Sequence, residues 1–141
     1  MVAEARSVYN PAACDRQEQN PIDGMQSRRT GRLGETHATR YLQRRGYDIL
    51  VRNWRCPRGE LDVVARIAGK LVFVEVRTRR QSDTEEAFAS ITARKRERLL
   101  AAIHEWLESN RQQNADWQVD VIGVALGGRT RIDHVEDALD W

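Results

Sequence analysis

The sequence predicts an α/β domain, a mixed sheet with helices packed against it in the order α-β-β-β-α-β-β. Three observations point there. Two runs, ELDVVAR at 60–66 and LVFVEVR at 71–77, flank the turn Ile67-Ala68-Gly69-Lys70 and read as a β-hairpin. Leu99, Leu100, Ile103, Trp106 and Leu107 then form a broad helical stripe. After it, WQVDVIGVAL at 117–126 is continuously apolar and β-branched, as in a strand covered on both faces. A sheet and helices with these apolar faces bury them against one another.

Taken in order, residues 1–29 lack periodicity and hold the breakers Asn10-Pro11, Asn20-Pro21 and Asp23-Gly24, which predicts a disordered tail. One domain is expected over 30–141. Its first helix is expected over 30–45, with Leu33, Ala38, Tyr41 and Leu42 on one face and Gly46 as the stop. YDILVRNWR at 47–55 reads as a strand, closed by the turn Cys56-Pro57-Arg58-Gly59 before the hairpin. The second helix is expected over 92–110. Gly127-Gly128 ends the apolar strand, and 130–135 reads as a short last one.

Composition narrows the function classes. The chain has 141 residues, 40% hydrophobic and 31% charged, which suits one ordinary globular domain. No apolar stretch approaches the ~18 residues of a membrane helix, and no signal-peptide core follows Met1. Cys14 and Cys56 have no metal spacing and make no disulfide framework. A cytoplasmic protein is expected. The net charge of +2 hides an asymmetry, for residues 40–98 carry +7 and residues 99–141 carry −5. A basic segment suits a phosphate-bearing partner. Because 21 of the 23 basic residues are arginine, a compositional bias is the competing explanation.

The hairpin carries the candidate chemistry. Side chains two apart on a strand share a face. Counted back from a two- or four-residue turn, Arg66 pairs with Leu71, Asp62 lies opposite Glu75, and Glu60 lies opposite Arg77. A three-residue loop would separate the pair. Directly opposite residues have Cβ atoms about 4.5–5.5 Å apart, where like charges are destabilising. Two carboxylates so placed share a proton, hold a hard cation such as Mg²⁺, or lie on a solvated face among Arg66, Lys70 and Arg77. A cation held there suits phosphodiester cleavage. Glu35, on the edge of the first helix's apolar stripe, points toward the sheet as a third acid, or complements the helix dipole.

The motifs LGE (33–35), GELD (59–62) and FVEVRTR (73–79) resemble the YraN family of predicted endonucleases. The resemblance runs from about Gly31 to Val135. That family in turn resembles the PD-(D/E)XK, restriction-endonuclease-like superfamily, nearest its Holliday-junction-resolvase-like branch, with an α-β-β-β-α-β core. The resemblance implies a metal-dependent endonuclease acting on branched or structured DNA. Asp62, Glu75 and Glu35 would surround Mg²⁺ or Mn²⁺, with Glu35, Asp62, Glu75 and Arg77 as the catalytic set. Arg77, Arg79, Arg80 and Lys95 would meet nucleic acid, DNA or alternatively RNA. Its junction-cleaving relatives imply a homodimer. Two departures stand out. Leu61 precedes Asp62 where the superfamily has proline, and Arg77 occupies the usual lysine position. Arginine stays protonated and cannot act as a base, although its fork holds a phosphate oxygen. The second reading is therefore a non-catalytic nucleic-acid-binding module on the same fold.

Other residues carry less. Lys95 and Arg96 extend the second helix's stripe backward, toward the site or into solvent. His37, His104 and His134 have no metal spacing and read as surface or packing residues. Trp54, Trp106 and Trp117 read as core. Asp120, inside an apolar strand, is either buried with partners or on an edge.

Overall fold

The computed structural model describes residues 21–79 and 92–139, with side chains from Arg28 onward. The element order is α1 (Pro21–Arg44), β1 (Asp48–Cys56), β2 (Gly59–Ile67), β3 (Lys70–Arg79), α2 (Ala93–Ser109), β4 (Trp117–Ala125) and β5 (Arg131–Val135). This is the predicted order. Among the described residues no helix is long and apolar enough to cross a membrane.

The strands form one sheet in the order β1-β2-β3-β4-β5. The first three make an antiparallel meander, and β4 pairs parallel to β3. A parallel neighbour requires a crossover, which α2 supplies. β5 closes the sheet antiparallel to β4. Because the sheet is covered on both faces, alternate residues feed two cores. Val63, Ala65, Val72 and Val74 pack with Ala38 and Leu42 of α1. Leu61, Val64, Leu71 and Phe73 pack with Leu99, Ile103 and Trp106 of α2. Trp54 and Trp106 are buried there, as predicted, with Trp106 edge-on to Phe73 at 5.5 Å between ring centroids.

The first helix departs from expectation at its start. It begins at Pro21 rather than near Thr30, so residues 21–29 belong to it and not to the tail. Proline fits a first helical turn, because the N–H it lacks would be unsatisfied there. The rest of the expected tail, residues 1–20, lies outside the described residues. At the other end Gly46 takes φ +88. Its N–H reaches Gln43 O, and that of Tyr47 reaches Leu42 O, a Schellman stop. Leu33 is also misplaced by the pattern, at 49% exposed. Gly34, Ala38, Thr39 and Leu42 are the residues that face the sheet, and Leu33 lies about 100° around the helix from Gly34.

α2 matches its predicted span to within a residue. Thr92 is its N-cap, its hydroxyl accepting from Lys95 N at 3.2 Å.

Candidate functional site: a fork between two strands

β2 and β3 pair from Ile67↔Lys70 to Val63↔Val74. The two-residue turn Ala68-Gly69 has positive φ at both positions, 49 and 76, as in the tight hairpin turns that match strand twist. Continued one step past the last pair, this register sets Asp62 beside Glu75, as counting predicts. Glu60, counted opposite Arg77, instead lies beyond the paired backbone and meets Arg55 of β1 at 3.3 Å. The paired backbone of β2 and β3 ends at Val63↔Val74 although both strands continue, so the sheet forks. In the fork Val76 N–H donates to Asp62 Oδ2 at 2.8 Å, and a carboxylate stands where a strand carbonyl would be.

The other side of β2 is irregular at the same point. Pairing with β1 passes from Arg52↔Val63 to Trp54↔Leu61, omitting Asn53 and Asp62. Leu61 and Val63 enter opposite cores, which breaks the two-residue alternation expected along this strand. Asn53 adopts φ 51, a conformation asparagine tolerates better than β-branched or bulky residues do. Its side chain hydrogen-bonds Glu35. Sequence reasoning missed Asn53, although an asparagine among Leu50, Val51 and Trp54 is a signal, being depleted in strands.

Glu35 is delivered by a close approach of helix and strand. A Cβ on Gly34 would lie 1.8 Å from Thr78 Oγ1, so only glycine lets α1 come this near β3. Glu35 Oε2 is buried with no hydrogen-bond partner. Burial raises the Glu35 carboxyl above the ordinary carboxylate range against the opposing pull of Asn53 and Arg52. Asp62 is 9% exposed, and burial, then the charge of Glu75, push it well up. Burial also raises Glu75, with Lys95 and then Arg77 pulling the other way. Lys95 Nζ lies 3.9 Å from Glu75 Oε1, reaching over from α2.

The fork therefore gathers Glu35, Asp62, Glu75, Arg77 and Lys95, five of the predicted site residues. It adds Glu60, whose charge opposes ionisation of both central acids. Arg79 is exposed at the end of β3, and Arg80 lies outside the described residues. An all-carboxylate donor set with an orphaned buried oxygen suits a hard, oxygen-seeking divalent cation.

Residues 34–124 match the uncharacterised protein family UPF0102. The chain belongs to that family. A UPF0102 protein of Roseiflexus castenholzii is 47% identical over 122 residues, covering 82% of this chain and 98% of its own. Relatives in Chloroflexus aurantiacus and Ectopseudomonas mendocina are 45% and 40% identical, covering 77% and 78% of this chain and 90% and 93% of theirs. The segment matched to UPF0102 contains Glu35, Asp62, Glu75, Arg77 and Lys95.

Outside the fork, this UPF0102 chain holds a second group. Among the described residues, Asp120, His134 and Glu136 bring three potential metal-ligand atoms within 4.8 Å of one another. The acids of the fork do not form so tight a set. His134, with no metal spacing in the sequence, thus joins a possible ligand group, because β4 and β5 pair Ile122 with His134 and bring it beside Asp120. Asp120 is fully buried and richly partnered. Its Oδ1 accepts from Gln118 Nε2 at 2.8 Å and Asp137 N at 3.0 Å, while Oδ2 lies 2.7 Å from His134 Nε2. Tyr41 OH accepts from Arg45 at 3.0 Å and lies 3.2 Å from His134 Nδ1. Both ring nitrogens of His134 thus have a hydrogen-bonding partner, Tyr41 OH at Nδ1 and Asp120 at Nε2. These hydrogen bonds tie β5 to β4 and α1.

Proposed function

We propose that this protein is a metal-dependent endonuclease of the restriction-endonuclease-like kind, hydrolysing DNA phosphodiester bonds on branched or structured DNA. The observation that carries the reading is the fork. A buried carboxylate, Asp62, and a partly buried one, Glu75, are held together at the point where the ladder opens, near a third, Glu35, with an orphaned oxygen. Two acids that hydrogen-bond to each other share a proton in the free protein. At neutral pH, where they repel once ionised, a divalent cation is the compensation that gives the arrangement a use.

Asp62 and Glu75 would hold Mg²⁺ or Mn²⁺, with Glu35 holding it or orienting its surroundings. A divalent cation supplies Lewis-acid polarisation of a phosphoryl oxygen and eases deprotonation of water. The chain's own residues do the rest. Val76 N–H fixes the Asp62 carboxylate, Asn53 fixes Glu35, and Arg77 offers its guanidinium to a phosphate oxygen. In the reaction a water oxygen bonds to phosphorus, one ester P–O bond breaks, the departing oxygen takes up a proton, and solvent receives the proton lost by water.

The test is nicking of supercoiled plasmid and cutting of a synthetic four-way junction by purified protein with Mg²⁺, Mn²⁺ or EDTA. Cleavage should require the cation and fall at least 100-fold in Asp62→Asn and Glu75→Gln. Cleavage that persists in Asp62→Asn sinks the assignment. The arginine at position 77 favours a second reading, a DNA-binding module without turnover, which binds both substrates salt-dependently and cuts neither.

A further inference from the structure

We infer that Lys95, brought to the fork by α2, is a catalytic residue, the compact cation that holds the attacking water beside Glu75 while Arg77 serves the phosphate. The inference rests on the nuclease reading and assigns a role that the strand itself leaves open. Position 77 is arginine, whose planar fork suits an anion but cannot present a point charge to a single water. Lysine is scarce in this chain. Of its 23 basic residues only Lys70 and Lys95 are lysine, so a lysine beside Glu75 does not follow from the arginine-rich composition. Lys70 sits at the far end of the sheet, at the hairpin turn, where it donates to Gln118.

The fold fixes where Lys95 stands. Thr92 caps α2 through Lys95's own backbone N–H, setting the first turn. One turn later α2 is pressed against β2, where a Cβ on Gly59 would lie 3.0 Å from Arg98 O. Leu99 is buried immediately afterward. These contacts place the first turn of α2 over the start of β2, three residues from Asp62. Lys95 Nζ then reaches within 3.9 Å of Glu75 Oε1, with its side chain still 53% exposed and open to substrate. An ammonium there donates to water and offsets the charge that grows on the phosphoryl oxygens as the P–O bond forms.

The test compares wild type with Lys95→Ala, Lys95→Arg and the double variant Arg77→Lys/Lys95→Ala. It reads kcat and KM for plasmid nicking with Mn²⁺, and Mn²⁺ affinity of the DNA-free protein by calorimetric titration. Lys95→Ala should lose about 100-fold or more in kcat, with KM nearly unchanged and Mn²⁺ bound at least as tightly, since a repelling charge has left. Lys95→Arg should recover only a minor part. The double variant, with a lysine restored on the strand, should regain most of the rate. Lys95→Ala cutting like wild type overturns the inference. So does a loss confined to KM, which marks a DNA contact, or weakened Mn²⁺ binding, which marks damage to the acids. A wild type that binds Mn²⁺ but never cuts overturns the nuclease reading, and this role with it.

Discussion

A carboxylate is stable in a protein interior when a cation or several donors face it, and Asp62 has one backbone donor and an opposing Glu75. Protons are the available compensation in the free protein. Both acids have folded-state pKa values raised above their ordinary 3.8 and 4.5, by burial first. The folded state therefore binds more protons than the unfolded one above that range, and stability falls as pH rises through it toward the raised values. The metal-free protein should be measurably less stable in urea at pH 7.5 than at pH 5. Asp62→Asn and Glu75→Gln should each flatten that dependence and stabilise the free protein at neutral pH by roughly 0.5–2 kcal/mol. Added Mn²⁺ should stabilise the wild type and not the variants. Equal stability of wild type and both variants at pH 7.5 would contradict this electrostatic account. The Asp62–Glu75 pairing was legible because a hairpin's register is counted outward from its turn. Asn53 was not, because its role depends on a helix arriving from 18 residues upstream. Nor was His134, whose partner Asp120 is set by strand pairing that no local pattern reveals.

Helices and strands position these residues through close approaches that sequence periodicity does not register. α1 meets β3 at Gly34, where any side chain would collide with Thr78. Its neighbour one turn earlier, Gly31, has nothing within 4 Å of the same hypothetical Cβ. The two glycines therefore answer oppositely to one substitution. Gly31→Ala should stabilise by about 0.5–1 kcal/mol through helix propensity and reduced unfolded-state freedom. Gly34→Ala should destabilise by about 1–3 kcal/mol as Thr78 or the helix gives way, and should lower Mn²⁺ affinity by withdrawing Glu35. Urea unfolding and metal titration of the pair check both signs, and two stabilising alanines would disprove the close packing. The same reasoning explains what the periodic pattern read well and badly. α2 was legible from Thr92 to Asn110, since capping residues and a dense apolar stripe agree there. The start of α1 was not, because Pro21, Asp23 and Gly24 mimic a turn while also being tolerated in a first helical turn.

At the scale of the whole molecule the fold converts a charge asymmetry along the chain into one across the domain. Of the net +7 of residues 40–98, β1, β2, β3 and the first turn of α2 (93–98) together carry +5, and these are the elements that build the fork. Arg52, Arg55, Arg77 and Lys95 all act electrostatically on its acids. At the opposite end of the sheet, a cleft of about 480 Å³ is lined by Asp116 and Glu136 as well as Lys70. A polyanion should therefore meet the forked end, where cations surround the carboxylates and hold its phosphates within reach of them. Binding to duplex or four-way-junction DNA in EDTA should then weaken with salt. If Arg52, Arg55 and Arg77 each contact one phosphate, while Lys95 faces the attacking water, log affinity should fall against log salt with a slope of about −3. Removing one contact by Arg52→Ala, which lies on β1 with its guanidinium on Thr36, should reduce that slope by about 1. Lys70→Ala, an equal loss of charge at the far end, should leave it almost unchanged. Equal effects of the two substitutions would mean that net charge, and not the fork, attracts DNA. A slope near zero would remove nucleic acid as the partner, and with it both the catalytic and the binding-only readings of the site.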